Sequence, residues 1–430
     1  MESQIITKGL SGLVNVGNTC FMNSVLQCLF HTDILCIYFL KNLYIDELRN
    51  NIILQITKSN DKYNTETILT HMTQTLTYEL YKIFKMSWSQ NSLLKPISFK
   101  TVLARKRDRY NNMRQQCSYE FLEDILDILH EENKKDITVR FNKISINVQD
   151  FIVNNGKLVR KYNEAETDKE KKEIKQEIIT YRNSNVLGGL YLNYYSYWKD
   201  QVKNNFSIIK QHFTGLTCQI IQCSECLNSS STYNTYCVMS LSLPKKSNIT
   251  LDEAFQEEFK SELLQDDSQY QCNNCNKKVE ATKKIYMWSL PDILVLTLKR
   301  YHNGIIKLPI NVEVPIDKLD INKYCFETRQ NHRTYDLYAV IEHYGSLGGG
   351  HYIAYCKNNL SDKWFKFDDN KVTYIVDIKD VIDKRNCYMF FYQISINKSE
   401  FNNIEVPILD EPANAKYFDN FQIKTRNLDL

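Results

Sequence analysis

The chain reads as an α+β protein, with helices through its first half and strands through its second. Three observations predict it. Apolar residues recur at Met22, Val25, Leu26 and Leu29, the i, i+3, i+4, i+7 spacing of a helix with one apolar stripe. From Phe213 the texture changes to short runs rich in β-branched and aromatic residues, which read as strands: Ile220-Ile221, Tyr236-Cys237-Val238-Met239, Ile293-Leu294-Val295-Leu296 and Tyr388-Met389-Phe390-Phe391. Helical patterns come first and strand patterns after, without the alternation of an α/β chain.

Composition narrows the class. At 430 residues, length alone suggests two or three domains, and 43% hydrophobic with 24% charged content is that of an ordinary globular protein. A net charge of +3 points to neither nucleic acid nor an acidic partner. The start lacks the basic and apolar regions of a signal peptide, and no apolar run approaches the roughly 18 residues of a membrane span. Thirteen cysteines, an odd number, are expected to be reduced thiols and metal ligands of a cytoplasmic or nuclear protein.

In chain order, Asn18 and Thr19 are N-capping types, so the first helix should begin near Cys20, where backbone N–H groups and the helix dipole favour a thiolate. The ordinary role of a cysteine there is a small buried residue, which is how Cys28 and Cys36 read. Helical segments continue to about Phe84. The basic cluster Arg105, Lys106, Arg107, Arg109 is broken by Asp108 and reads as an exposed loop. Gln115-Gln116-Cys117-Ser118-Tyr119-Glu120-Phe121-Leu122 opens another helix, with Phe121, Ile125, Ile128 and Leu129 on one face. Residues 131–193 are polar and read as an insertion or appendage, Asp168 and Lys172 standing i, i+4 on a solvated helix. Tyr335 to Ile341 alternates as a strand, and a polar tail follows from about residue 394.

Two constellations carry chemistry. Cys223-x-x-Cys226 and Cys272-x-x-Cys275 are paired chelates that can complete a tetrahedral thiolate site. Four thiols leave no open position, so a zinc there is structural; a redox pair or reduced cysteines are the alternatives. The other constellation is a nucleophile with its base. His351 follows Gly348-Gly349-Gly350 and leads into an apparent strand, while His343 ends the preceding one, so the two strands form a hairpin. Asp368 and Asp369 point to opposite faces if they lie on a strand, and only one can orient His351. The order Cys…His…Asp fits a thiol hydrolase.

On these residues the chain resembles the ubiquitin-specific protease family of deubiquitinating enzymes. Gly12 to Ser24 is similar to that family's cysteine box, and Tyr344 to Tyr355 with Trp364 to Asp369 to its histidine box. Between them, in the family's order, stand Gln115 to Leu122, Phe213-Thr214-Gly215, the CxxC pairs and Leu296-Thr297-Leu298-Lys299-Arg300-Tyr301. The resemblance implies one papain-like domain over residues 9–393 with a thumb–palm–fingers architecture: a helical thumb (9–212, with 131–193 inserted), zinc-bearing β fingers (213–290) and an antiparallel β palm (291–393), then the tail 394–430.

It further implies hydrolysis of the isopeptide or peptide bond after the C-terminal glycine of ubiquitin by a monomer acting on ubiquitinated proteins. No membrane or nucleic-acid partner is implied, nor a catalytic cofactor beside the one structural zinc on Cys223, Cys226, Cys272 and Cys275. By the family pattern Cys20 is the nucleophile, His351 the general base, Asp368 its orienting acid, and Asn15 an oxyanion donor. Asn18, Asp369 and His343 support them, while Gln116, Glu120, Gly349 and Gly350 hold the ubiquitin tail. Cys117 and Tyr119 stand where the family usually has aspartate and commonly histidine. That leaves open a protease for a ubiquitin-like modifier; a catalytically silent ubiquitin-binding module that keeps the fold is a separate alternative.

Overall fold

The computed structural model describes residues 8–59, 61–139, 146–302, 306–326, 333–346 and 349–394. Gly348 of the glycine run and the tail from residue 395 therefore lie outside the described residues. The first half is helical: α1 (Cys20–Phe30), α2 (Asp33–Leu40), α3 (Tyr44–Lys58), α4 (Thr65–Thr73), α5 (Leu76–Ser89), α6 (Ile97–Lys106) and α7 (Ser118–Asn133). Side chains cap several starts. Asn64 accepts the Thr67 N–H at α4 and Thr75 accepts the Tyr78 N–H at α5, each satisfying a donor the helix leaves unpaired.

α1 departs from the one-sided helix that its apolar spacing predicts, because all eleven of its residues are buried. It lies between α7 and strands of the large sheet. Its polar residues are consequently bonded within the protein: Asn23 Nδ2 donates to Asp369 Oδ1 at 2.8 Å and Gln27 Nε2 to the Ser11 carbonyl at 2.7 Å. The basic cluster is not a free loop either. Arg107 and Arg109 both reach Asp124 of α7, and Arg109 Nη1 donates to Glu120 Oε2 at 3.0 Å.

The polar stretch after α7 folds into α8 (Ile146–Glu164), α9 (Asp168–Ser184) and α10 (Val186–Val202), before the short α11 (Ile208–His212). Thr167 and Glu170 form a capping box at the start of α9, and Asp168 and Lys172 are exposed on it. α10 is docked. Its Tyr191 and Tyr194 rings lie 5.2 and 5.5 Å from Trp288, and Tyr197 lies 5.9 Å from Tyr233, both on the sheet that follows.

That sheet contains β1 (Gly215–Cys223), β2 (Ser229–Tyr236), then β5 (Glu262–Leu264) and β8 (Ala281–Ser289) after β3 (Val238–Leu241), β4 (Asn248–Thr250) and α12 (Leu251–Glu258). Its order is β2-β1-β8-β5, antiparallel throughout. β6 (Tyr270–Cys272) and β7 (Lys277–Val279) make a separate hairpin. The remaining strands are β9 (Ile293–Leu298), β10 (Tyr301–His302), β11 (Ile306–Lys307), β12 (Asn311–Glu313), β13 (Leu319–Asp320), β14 (Thr334–Ser346), β15 (Gly349–Asn358), β16 (Lys363–Asp368), β17 (Lys371–Ile375) and, after α13 (Ile378–Val381), β18 (Cys387–Gln393).

The large sheet runs β17-β16-β15-β14-β18-β9-β3, with β13 paired to β14. Residues alternate between two cores across it. Val295, Ile341, Ala354, Met389 and Phe391 join the helical half, while Leu294, Leu296, Val340, Ile353 and Phe390 join a second core with α12. A sheet covered on both faces needs apolar residues at consecutive positions, which is why these strands read as unbroken apolar runs. Among the described residues no single helix is long and apolar enough to cross a membrane. The apolar pair α1 and α2 is bent by 82° and sits in the core.

Candidate active site

The loop before α1 is shaped by its own side chains. Gly17 and Asn18 have φ of 101° and 52°, a turn that glycine and asparagine tolerate. Asn15 Oδ1 accepts the Thr19 N–H at 3.0 Å, and Thr19 Oγ1 accepts the Val16 N–H at 2.9 Å. The N-cap expected of Thr19 is therefore not formed by its side chain, whose hydroxyl faces back into the loop. Cys20 then opens α1, buried, with the helix's first N–H groups beside it. Asn18 Nδ2 donates to the Met113 carbonyl at 2.7 Å, tying this loop to the segment before α7.

β14 and β15 bring the predicted base. His351 pairs with Tyr344 across the hairpin, and its Nε2 donates to Asp368 Oδ1 of β16 at 2.6 Å. Nδ1 remains for Cys20, whose side chain is the main influence raising the imidazole to about 9, against burial and with help from Asp368. Burial acts to raise the Asp368 carboxyl, but His351 and Lys366 outweigh it and hold the group below its usual range.

Asp369 opens the turn after β16, with φ of 51°, and serves the other side of the site. Its Oδ2 accepts from Asn15 Nδ2 at 2.9 Å, its Oδ1 from Asn23, and its carbonyl from the Leu13 N–H at 2.9 Å. One residue thus fixes Asn15, α1 and the entering chain. His343 lies in β14 with its ring stacked on Tyr352 at 4.1 Å and its Nδ1 bonded to the Tyr301 hydroxyl. Burial, Lys307 and His351 push its imidazole down to about 4, so it is neutral at physiological pH.

Other predicted residues stand apart from this group. Gln116 Nε2 donates to the Arg109 carbonyl at 3.0 Å, and Glu120 pairs with the Arg109 guanidinium; neither bonds to Cys20, His351, Asp368 or Asp369. Gly349 and Gly350 open β15 next to His351. The residue that reaches them is Gln115, which sequence reading passed over in favour of its neighbour. Gly350 N–H donates to Gln115 Oε1 at 2.7 Å and Gln115 Nε2 donates to the Gly350 carbonyl. An adjacent Gln-Gln pair carries no signal of which side chain turns inward. Cys117 is half-buried, its Sγ 3.2 Å from the Tyr388 hydroxyl.

The four paired cysteines converge where β1 ends and β6 turns into β7. Cys223, Cys226, Cys272 and Cys275 have sulfurs all within 4.8 Å of one another, with Cys223–Cys275 at 3.9 Å and Cys226–Cys272 at 3.7 Å. A tetrahedron of thiolates about 2.3 Å from a zinc ion has edges of about 3.8 Å, so the cluster can hold a metal ion. Both halves are built alike. The Cys226 and Cys275 N–H groups each donate 3.4 Å to the sulfur three residues back, and Leu227 and Asn276 turn the chain with φ of 56° and 54°.

Compared with known proteins, residues 11–392 match the family model described as ubiquitin carboxyl-terminal hydrolase. A probable ubiquitin carboxyl-terminal hydrolase of Acanthamoeba polyphaga mimivirus is 25% identical over 426 residues, with 90% of each chain covered. Human ubiquitin carboxyl-terminal hydrolase 2 is 29% identical over 395 residues, covering 90% of this chain and 56% of the relative. Against ubiquitin carboxyl-terminal hydrolase 4 of Saccharomyces cerevisiae the chain spans 39% of the relative at 29% identity. Among solved structures, the SAGA DUB module containing Ubp8 bound to monoubiquitin matches with a TM-score of 0.59 at 24% identity, over 92% of this chain and 71% of that one. The module bound to ubiquitin aldehyde matches with a TM-score of 0.58 at 24% identity, over 92% and 71%. These structural likenesses concern the fold.

Proposed function

Because the chain belongs to the ubiquitin carboxyl-terminal hydrolase family, we propose that it is a cysteine-type deubiquitinase, cleaving the bond after the C-terminal glycine of ubiquitin in protein conjugates. The observation that carries this reading is the grouping of Cys20, His351 and Asp368 at the junction of α1 with the large sheet. The Cys20 sulfur attacks the glycine carbonyl while its proton rests on His351 Nδ1. Asp368 holds the imidazole in the tautomer and orientation that this needs. The oxyanion forms beside the start of α1, where the Cys20 N–H and Asn15 Nδ2 donate to it, and Asp369 fixes Asn15. His351 then protonates the leaving lysine amine, and water, activated by the same imidazole, releases ubiquitin and restores the thiol.

Zinc is the metal that suits the four-cysteine cluster, by thiolate chemistry and by the spacing of the sulfurs. Bound there, it would link the end of β1 to the β6–β7 hairpin and leave no position open for substrate. Replacing Cys223 by Ser is expected to remove about one zinc per chain by elemental analysis and to lower the melting temperature. A thiol nucleophile and thiolate ligands need reduced cysteines, which suits the cytosol or nucleus.

The deciding experiment is labelling with an electrophile built on the ubiquitin C-terminus, together with release of a C-terminal reporter. Wild type should label and Cys20→Ala should not; labelling that persists in Cys20→Ala would overturn the assignment. Cys117, which stands where the family usually has an aspartate and whose sulfur faces Tyr388, favours a second reading, a protease for a ubiquitin-like modifier. Probes built on such modifiers, run beside the ubiquitin probe, separate the two.

A further inference from the structure

β15 begins with two glycines, so it has no side chains with which to anchor the strand that delivers His351. Gly350 could not carry one: a Cβ there would lie 2.3 Å from the Tyr344 carbonyl and 2.4 Å from His343 Nε2. Gly349 has nothing within 4 Å of that position. On one side the stretch is paired to β14, Gly350 opposite Gly345 and His351 opposite Tyr344. On the other side β16 joins β15 only from Ala354, opposite Phe367. At Gly350 the backbone N–H and C=O therefore point to a sheet edge that no strand covers among the described residues.

Gln115 covers it. In an antiparallel pair, two facing residues exchange both of their N–H···O bonds. Gln115 reproduces that exchange with a side chain, Oε1 accepting from Gly350 N at 2.7 Å while Nε2 donates to Gly350 O. The accepting carbonyl belongs to the peptide bond that carries the His351 nitrogen, so the amide holds the plane from which the imidazole is hung. Gln115 itself comes from the segment leading into α7, so the clamp crosses from the helical half to the sheet.

We propose that Gln115 is a positioning residue for the reaction, acting through Gly350 to hold His351 against Cys20. The proposal rests on the deubiquitinase reading, with Cys20 and His351 as its pair. A 1 Å displacement of a reacting group costs up to about 100-fold in rate. The test uses the full chain with Gln115→Met, which keeps the side chain's length and removes the amide, beside Gln115→Ala. Expected in both is a fall in kcat on a ubiquitin-reporter substrate of roughly 10- to 100-fold, with KM changed by less than about 3-fold. Alkylation of Cys20 by iodoacetamide, which needs no ubiquitin, should slow in parallel, with melting temperatures close to wild type. A KM increase at unchanged kcat would overturn the proposal and make Gln115 a substrate contact. Wild-type kcat in Gln115→Met, or unchanged alkylation in both variants, would overturn it too. If wild type proves inactive on ubiquitin, the alkylation comparison still decides the role of Gln115.

Discussion

The imidazole of His351 sets a measurable limit on the chemistry. Cys20 and Asp368 raise it to about 9, so it stays protonated through neutral pH. Because the folded value lies above the ordinary one of about 6.5, this ionisation stabilises the fold fully below that pH; the contribution is lost as pH rises through about 9. The basic limb of the kcat/KM profile should fall in the same region. Asp368→Asn removes a carboxylate that favours the imidazolium and should move that limb to lower pH, while an unmoved limb would mean that Asp368 does not act on His351. Asn15→Ala should lower kcat by roughly 10²- to 10³-fold with little change in KM, as loss of an oxyanion donor does. At this scale Cys20 and His351 were legible as candidates from residue type and spacing, and so was the divergence of Asp368 from Asp369, while the choice of Asp368 rested on the resemblance to the family. Gln115 was not legible, since only the turn before α7 decides which of two glutamines meets Gly350.

Elements were legible to the extent that their burial was simple. Strands such as β9 and β18 stood out because both faces of the large sheet are covered, leaving no polar alternation to obscure them. α1 misled in detail: its apolar stripe suggested one buried face, whereas Asn23 and Gln27 are buried through bonds to Asp369 and Ser11 that lie far from them in sequence. The insertion misled more. α9 is polar enough to read as solvated, and that polarity drew attention from the tyrosines of α10. Tyr233 is the centre of the contact that docks α10, 5% exposed, with its hydroxyl donating to the Leu190 carbonyl at 2.7 Å. Tyr233→Ala should destabilise this packing by about 3–5 kcal/mol, the cost of a large aromatic lost from a core. Limited proteolysis should then cut within 146–202 faster than in wild type, and an unchanged cleavage pattern would show that α10 is held by other contacts.

At the scale of the whole molecule the site exists only where the two halves meet, and residues 8–16 stitch them together. Asn358 of β15 donates to the Lys8 carbonyl, Leu13 N–H to Asp369 O, and Val14 N–H to Leu94 O, with Leu94 N–H returning to Gly12 O. This segment thus joins the turn after β16 to the chain between α5 and α6. Gly12 lies at the tightest point, where a Cβ would come 2.5 Å from the Asn370 carbonyl. That atom is backbone, so Gly12→Ala must push the Asp369-Asn370 turn away, and with it the carboxylates that hold His351 and Asn15. Activity should therefore fall roughly 10-fold or more through kcat, far out of proportion to one added methyl group. Gly156, inside α8 with nothing within 4 Å of its Cβ position, supplies the comparison. Gly156→Ala should leave activity at the wild-type level and raise stability by up to about 1 kcal/mol through helix propensity. Equal activity in the two variants would show that the halves can separate at Gly12 without disturbing the pair Cys20 and His351.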